Sequence, residues 1–475
     1  MYREKIDKFI DAHKTEMLED IAELCKIDST KDSYRAGRPY GDGCFEALGA
    51  ALHIAECYGF SINNYDNYVG TVDLNDKEKQ LDILAHLDIV PAGDGWTVTE
   101  PFVPVVKDGK IYGRGTADDK GPAIAALYAM RAVKELGIPV KKNVRLILGT
   151  DEECGSSDIR HYYSVEEEAP MTFSPDASFP VINIEKGSLH GQFTAEFEKS
   201  QVLPRMVSFK SGTKSNVVPS KAEALFEGLD GSDTEAFAHT LEAELGIRFD
   251  VTSEGGYMKI EAFGENGHAS TPWKGKNALT GLLALIEKLE LAECGQVEKI
   301  RALKALIPDI VLTSDVIVGF PGKNLGIAME DEESGQLTLT FSMLEITETS
   351  LSGDFDSRCP ICSNEENTLK PAKAAMAGYG ISLNNDSMNP PHHVPGDSQF
   401  VQTLLKSYEM YTGRKGECIA IGGGTYVHHL KNGVAFGAAM PETENNMHGP
   451  DEFAVIDELL MSAKIFAQVI TELCC

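Results

Sequence analysis

Short apolar runs bounded by charged residues dominate the first part of the chain. Val69–Leu74 (VGTVDL), Leu81–Leu87 (LDILAHL) and the run opening NVRLILGTDEECGSSD at Asn143 read as buried strands. Between them, KIYGRGTADDKGPAIAALYAMRAVKELGIP reads as a strand, a Gly-rich turn and a helix. Pro122 falls in a first helical turn, and Gly137 with Pro139 closes the helix. The N-terminal segment alternates charged and apolar residues as an amphipathic helix does. Strands alternating with helices predict an α/β sheet covered on its faces.

From residue 188 to 384 the texture changes. Amphipathic strands (SLHGQFTAEF, GYMKIEAFG, LTLTFSMLEIT) follow a period of two, and helices such as TEAFAHTLEAEL, NALTGLLALIEKLELA and TLKPAKAAMAGYG lie among them. This predicts an α+β insertion, expected as two subdomains. After it, a helix (QFVQTLLKSYEMYTG), a Gly-rich turn (AIGGGTYV) and a last helix resume the first pattern. The expected fold is α/β, with a discontinuous catalytic domain (residues 1–187 and 385–475) and an inserted α+β lid (residues 188–384).

Composition narrows the partners. The 475-residue chain is 42% hydrophobic, ample for two or three cores, and its net charge of −30 repels a phosphate backbone, which excludes nucleic acid. No window reaches the roughly 18 apolar residues that span a bilayer, and the N-terminus lacks the apolar core of a signal peptide. Ten cysteines are scattered without a compact framework, so reduced thiols and a cytoplasmic location are expected. Cys359 and Cys362 form one isolated C-x-x-C with no second pair, which reads as structural and not as a zinc ribbon.

The chemistry gathers where strands end. His86 and Asp88, Asp118 and Asp119, Asp151 with Glu152 and Glu153, then Asp176, and finally His448 all occupy such places. Ligands of open α/β sheets bind beyond the carboxyl ends of the strands, and imidazole with carboxylate suits zinc and similar ions. Residues two apart on a strand project together, so His86 can bind metal while Asp88 holds its ring. Taken singly, H-x-D is most often a capping pair, and acidic doublets are most often solvated or at helix starts. Separate loops carrying the same chemistry make the stronger case.

The motifs HLDIVPAGDGW, YGRGTADDKGP, TDEECGSSD, SPDASFP and MHGPDE, in this order, closely resemble the di-zinc metallopeptidase family of carnosinase, succinyl-diaminopimelate desuccinylase and dipeptidase PepV. PepV-type dipeptidases are the nearest likeness. The resemblance implies two Zn²⁺ per chain (Mn²⁺ or Co²⁺ as substitutes), with Asp118 bridging, His86 and Asp176 on one ion, and Glu153 and His448 on the other. It implies a cis peptide between Asp118 and Asp119. It makes Glu152 the general base, a choice that adjacency to Glu153 leaves open, and Asp88 a catalytic support. It further implies that His268 (in NGHASTPW) donates to the oxyanion. Asn216 and Arg358 then hold oxyanion or substrate carboxylate, Asp119 meets the substrate amine, and Gly422, Gly423 and Gly424 let backbone approach the substrate. His428 and Cys359 stand where the family commonly has Arg and an aromatic residue. The expected activity is zinc-dependent hydrolysis of dipeptides by a monomer. The alternatives are an N-acyl amino acid deacylase or desuccinylase, and a metal-binding homologue without catalysis, against which the presence of Glu152 and His268 speaks.

Overall fold

Alternate residues of the strand Lys79–His86 face two different cores. Leu81, Ile83 and Ala85 enter the main core of the first unit, whereas Leu84 joins a smaller cluster with Val69, Ile147, Tyr162 and Tyr426. A strand covered on both sides reads as a nearly continuous apolar run, and its last six residues are all buried. In the computed structural model, which describes residues 2–307, 311–313, 316–318 and 321–475, the chain forms two compact units. The first comprises Met1–Ile184, His393–Ile419 and Gly424–Cys475; the second comprises Glu185–His392 and Ala420–Gly423.

Six neighbouring strands of a nine-stranded sheet run, in order, Ser61–Tyr65, Val69–Asp73, Asn143–Gly149, Lys79–His86, Met171–Ser174, Gly433–Ala435, and the next is Val181–Glu185. Asn143–Gly149 to Gly433–Ala435 are mutually parallel, Val69–Asp73 is antiparallel to both its neighbours, and Val181–Glu185 is antiparallel to Gly433–Ala435. On the main-core face the helix Lys120–Glu135 packs against Ile456–Cys474 and the N-terminal helices. Lys120–Glu135 is rich in Ala, holds Pro122 in its first turn, and is followed by Gly137 at φ +62°, where glycine has no steric cost. The Asp118–Asp119 peptide is cis.

The second unit is built on one eight-stranded antiparallel sheet. Four strands (Arg248–Glu254, Tyr257–Phe263, Lys221–Glu227, Arg205–Ser211) meet the other four (Thr338–Ile346, Ser350–Cys359, Gly187–Glu196, Ser382–Leu383) through three residue pairs, Phe209–Ile346, Lys210–Glu345 and Ser211–Leu344. One face is packed by helices such as Ala278–Ile286, whose start is capped by the Asn277 side chain. The period-two pattern of Gly187–Glu196 is the expected signature of such half-covered strands. No helix of the described residues is long and apolar enough to cross a membrane.

Candidate functional site

Three of the parallel strands run at their carboxyl ends into titratable residues. Lys79–His86 ends on His86 with Asp88 two residues on; Asn143–Gly149 leads to Asp151, Glu152 and Glu153; Met171–Ser174 leads to Asp176. Asp118 and Asp119 immediately precede the helix Lys120–Glu135, and His448 occupies a turn at φ +63° before Phe453–Val455.

These loops converge. His86 Nε2 lies 3.0 Å from Asp118 Oδ1 and 3.7 Å from Asp176 Oδ2. His448 Nε2 lies 2.9 Å from Asp118 Oδ2 and 3.2 Å from Glu153 Oε1. The ligand atoms of His86, Asp118 and Asp176 lie within 4.8 Å of one another, and so do those of Asp118, Glu153 and His448. Asp118 therefore belongs to both groups and turns one oxygen toward each histidine.

The electrostatics follow from crowding. Burial opposes charge on His86, yet Asp118 and Asp88 beside it hold its pKa well above the usual histidine range. Asp118 and Glu153 push His448 up to about 10. Burial, and then the adjacent Asp118, drives Asp176 well above the carboxylate range. Asp119 rises too, through burial above all. Glu152 is raised to about 8, first by burial, then by the charges of Glu153, Asp88 and Asp118 against the counter-pull of His86. Among the described residues none of the five candidate ligands pairs with a lysine or arginine. Oε1 of Glu153 is buried, and its approach to His448 Nε2 falls short of a well-aligned hydrogen bond. Three carboxylates and two imidazoles lacking a protein cation are a donor set that fits divalent metal.

Two supports differ from expectation. The ring of His86 is held at Nδ1 by the main-chain carbonyl of Asp88, 3.0 Å away, with carboxylate Oδ1 farther at 3.5 Å. The carboxylate instead accepts the backbone N–H groups of Glu152 and Glu153, both at 3.1 Å, so Asp88 also fixes the loop carrying these acids. Asp119, expected to meet a substrate amine, is fully buried and accepts the backbone N–H of His86 at 3.1 Å. It braces a ligand and faces no open space.

Sequence reasoning missed a clamp. Buried Glu452 accepts N–H groups of Gly115 (3.0 Å), Ala117 (2.9 Å) and Asp118 (3.3 Å), and Arg114 donates to its other oxygen at 2.5 Å. Both residues lie inside motifs already singled out, GRGTADD and HGPDE, but nothing in a single sequence couples position 114 to position 452. A second missed support is Asp158, which accepts the N–H groups of Thr150 (2.6 Å) and Asp151 (3.0 Å) and the hydroxyl of Tyr426.

The second unit holds its own polar cluster. Asp356 and Arg358 are two apart on Ser350–Cys359 and so share a face, where Nε and one terminal nitrogen of Arg358 bind the Asp356 carboxylate at 2.7 and 2.8 Å. The other terminal nitrogen donates to Gly422 O at 2.7 Å. A guanidinium has five N–H groups, so two remain. His268 and Val217 pair across a short ribbon next to Asn216, whose carbonyl accepts the Ala269 N–H at 2.9 Å. His268 Nδ1 accepts the N–H of Ser270 at 3.1 Å, which leaves the proton of the neutral ring on Nε2. Burial, then Arg358, lowers its pKa, which favours that neutral form. A Cβ on Gly422 would lie 2.7 Å from Cβ of Ser270, so this glycine serves close packing within the cluster. Gly423 also belongs to the second unit, and Gly424 to the first.

The sequence model of peptidase family M20/M25/M40 matches residues 83–472. YtjP of Bacillus subtilis is 35% identical over 466 residues, covering 97% of each chain. The Beta-Ala-Xaa dipeptidase of Lactobacillus delbrueckii subsp. lactis is 34% identical over 472 residues, covering 98% of this chain and 97% of that one. Human carnosine dipeptidase 1 matches the structure with a TM-score of 0.59 at 16% identity, covering 100% of this chain and 99% of its own. Aminoacylhistidine dipeptidase from Vibrio alginolyticus does so with a TM-score of 0.59 at 15% identity, covering 96% of both. At such identities these two likenesses show a shared fold.

Proposed function

This chain belongs to peptidase family M20/M25/M40 and is a metallopeptidase, and from that premise we propose that it hydrolyses the peptide bond of dipeptides with two zinc ions. The observation that carries the proposal is Asp118, shared between the His86–Asp176 and Glu153–His448 groups. His86, Asp118 and Asp176 would hold one ion, and Asp118, Glu153 and His448 the other. Bound there, divalent zinc supplies Lewis-acid polarisation of the scissile carbonyl and acidifies a water.

The protein's own residues do the rest. The carboxylate of Glu152 takes a proton from the attacking water and returns it to the leaving nitrogen. Asp88 holds the Glu152 and Glu153 backbone, and Glu452 holds that of Asp118, so base and bridge keep their places. Nε2 of His268 donates to the tetrahedral oxyanion, a role for which its tautomer is already set. The two spare N–H groups of Arg358 bind the substrate carboxylate, with Asp356 fixing the guanidinium plane. Asn216, next to His268, assists there. The enzyme acts as a monomer, and its ten free cysteines suit a reducing cytoplasm.

The test is a substrate panel with metal analysis. Dipeptides, β-alanyl ones included, are assayed beside N-acetyl and N-succinyl amino acids on protein loaded with zinc. Cleavage of dipeptides at about two zinc ions per chain is expected. Hydrolysis of acyl amino acids alone would replace the dipeptidase reading with the deacylase one. Light scattering at twice 51.6 kDa would overturn the monomer.

A further inference from the structure

Beside Arg358, within the second unit, lies a cleft of about 540 Å³ lined by Lys186, Ser270, Trp273, Gln336, Thr338 and Gly422, among others. Two of its polar groups are short of partners. The ammonium of Lys186, itself only partly exposed, donates to Gln336 O at 2.7 Å and forms no ion pair among the described residues. That uses one of its three hydrogens. Thr338 is 4% exposed, and its hydroxyl makes no hydrogen bond. In a chain of net charge −30, a sheltered cation that makes no direct ion pair among the described residues, with Asp331 acting on it only at longer range, is conspicuous.

Register ties this cleft to Arg358. Thr338 is paired directly with Arg358 across antiparallel strands, which puts both side chains on one face of the sheet. Gly422 accepts from Arg358 and also lines the cleft. Ser270, the partner of His268, lines it too. A residue whose α-carboxylate is held by Arg358 therefore has its side chain next to the cleft. We propose that this cleft receives the side chain of the C-terminal residue of the dipeptide and selects an acidic one, with Lys186 and Thr338 binding the Glu or Asp carboxylate and Trp273 flanking its methylene groups. The assignment rests on the dipeptidase reading for the occupant's identity, though binding of the released amino acid can be measured apart from turnover.

The experiment compares Ala-Glu, Ala-Gln and Ala-Leu as substrates of the zinc-loaded wild type, Lys186→Met, Lys186→Arg and Thr338→Val. Calorimetric titration of the same proteins with free glutamate, glutamine and leucine runs alongside. The wild type is expected to show a KM about ten-fold lower for Ala-Glu than for Ala-Gln, as a charge-assisted hydrogen bond implies. In Lys186→Met the preference for Ala-Glu over Ala-Leu falls about ten-fold, through KM and not kcat, and Lys186→Arg restores part of it. Thr338→Val weakens glutamate and glutamine binding relative to leucine. An equal loss on all three dipeptides in Lys186→Met, or no preference for the acidic residue in the wild type, overturns the proposal. If no dipeptide is cleaved but glutamate binds in a Lys186-dependent way, the dipeptidase reading fails and the acidic subsite stands; if glutamate shows no preference either, both fail.

Discussion

The two units bury charge in opposite senses. At the strand ends of the first unit, Asp88, Asp118, Asp119, Glu152, Glu153 and Asp176 gather around two imidazoles, and no lysine or arginine pairs with the candidate ligands among the described residues. In the second unit Arg358 is neutralised by Asp356, and Lys186 makes no direct ion pair among the described residues, with Asp331 acting on it only at longer range. One unit is short of cations and the other holds one with no direct partner among the described residues. On the two proposals made above, the lesson is that unbalanced charge inside a fold points to its ligand: divalent metal for the first unit, a carboxylate for the second. The internally balanced pair Arg114 and Glu452 serves instead to hold the loops in place.

The sharpest break of this comparison is chemical. Glu152→Gln should lower kcat by about 10²–10⁴ while zinc content stays at the wild-type level, because Gln cannot accept the proton but fills the same space. Loss of zinc in that variant would exchange the roles of Glu152 and Glu153. Chelation comes next. Stripping the ions should cost the first unit about 4 kcal/mol for each ion when zinc was a thousand-fold above its Kd, visible by calorimetry as a lowered transition. The transition of the second unit should not move. A matching drop in both would mean that the excess acid of the first unit is not where the metal binds.

A third test separates acids that metal relieves from one that it does not. Asp82 lies near the start of the strand that ends in His86, fully buried, with Lys79 Nζ 3.6 Å away and one oxygen without a hydrogen bond. Burial raises its pKa to about 6 in the folded protein, against 3.8 for the free group. The folded state thus prefers the proton, and the penalty grows as pH rises from about 4 to 6 and is complete above it. Asp82→Asn should stabilise the protein by about 2–3 kcal/mol at pH 7 and by nothing near pH 3.5, with or without zinc, as followed by urea titration across pH. The smallest expected effect is that of Glu452→Gln, a 10–100-fold loss of zinc affinity from loosening the Asp118 loop, read by competition with a chelating dye. Unchanged affinity would show that the clamp is dispensable.

Much of the first unit was legible along the chain because buried parallel strands are written as dense apolar runs, and their ends as abrupt changes to acid, His, Pro and Gly. Leu81–Leu87 is such a case, and His86 and Asp88 stand where it stops. The lid strands were equally legible from their period of two. The joining of all eight in one sheet was not, since it depends on the three pairs between Arg205–Ser211 and Thr338–Ile346. Asp119 shows the limit at single-residue scale. Its neighbour Asp118 has the same chemistry, yet one carboxylate reaches two histidines and the other is turned under the His86 backbone.

By itself the sequence determined which residue types stand at which strand ends, because hydrophobic periodicity and chain breakers are local properties. Only the tertiary structure decided that Asp119 is turned under the His86 backbone, that Asp88 holds the Glu152 loop, that Glu452 answers Arg114, and that Lys186 makes no direct ion pair among the described residues. Those facts are distances between positions up to 338 residues apart. Hydrogen bonds and Coulomb forces act at a few ångströms in space, and separation along the chain does not enter them.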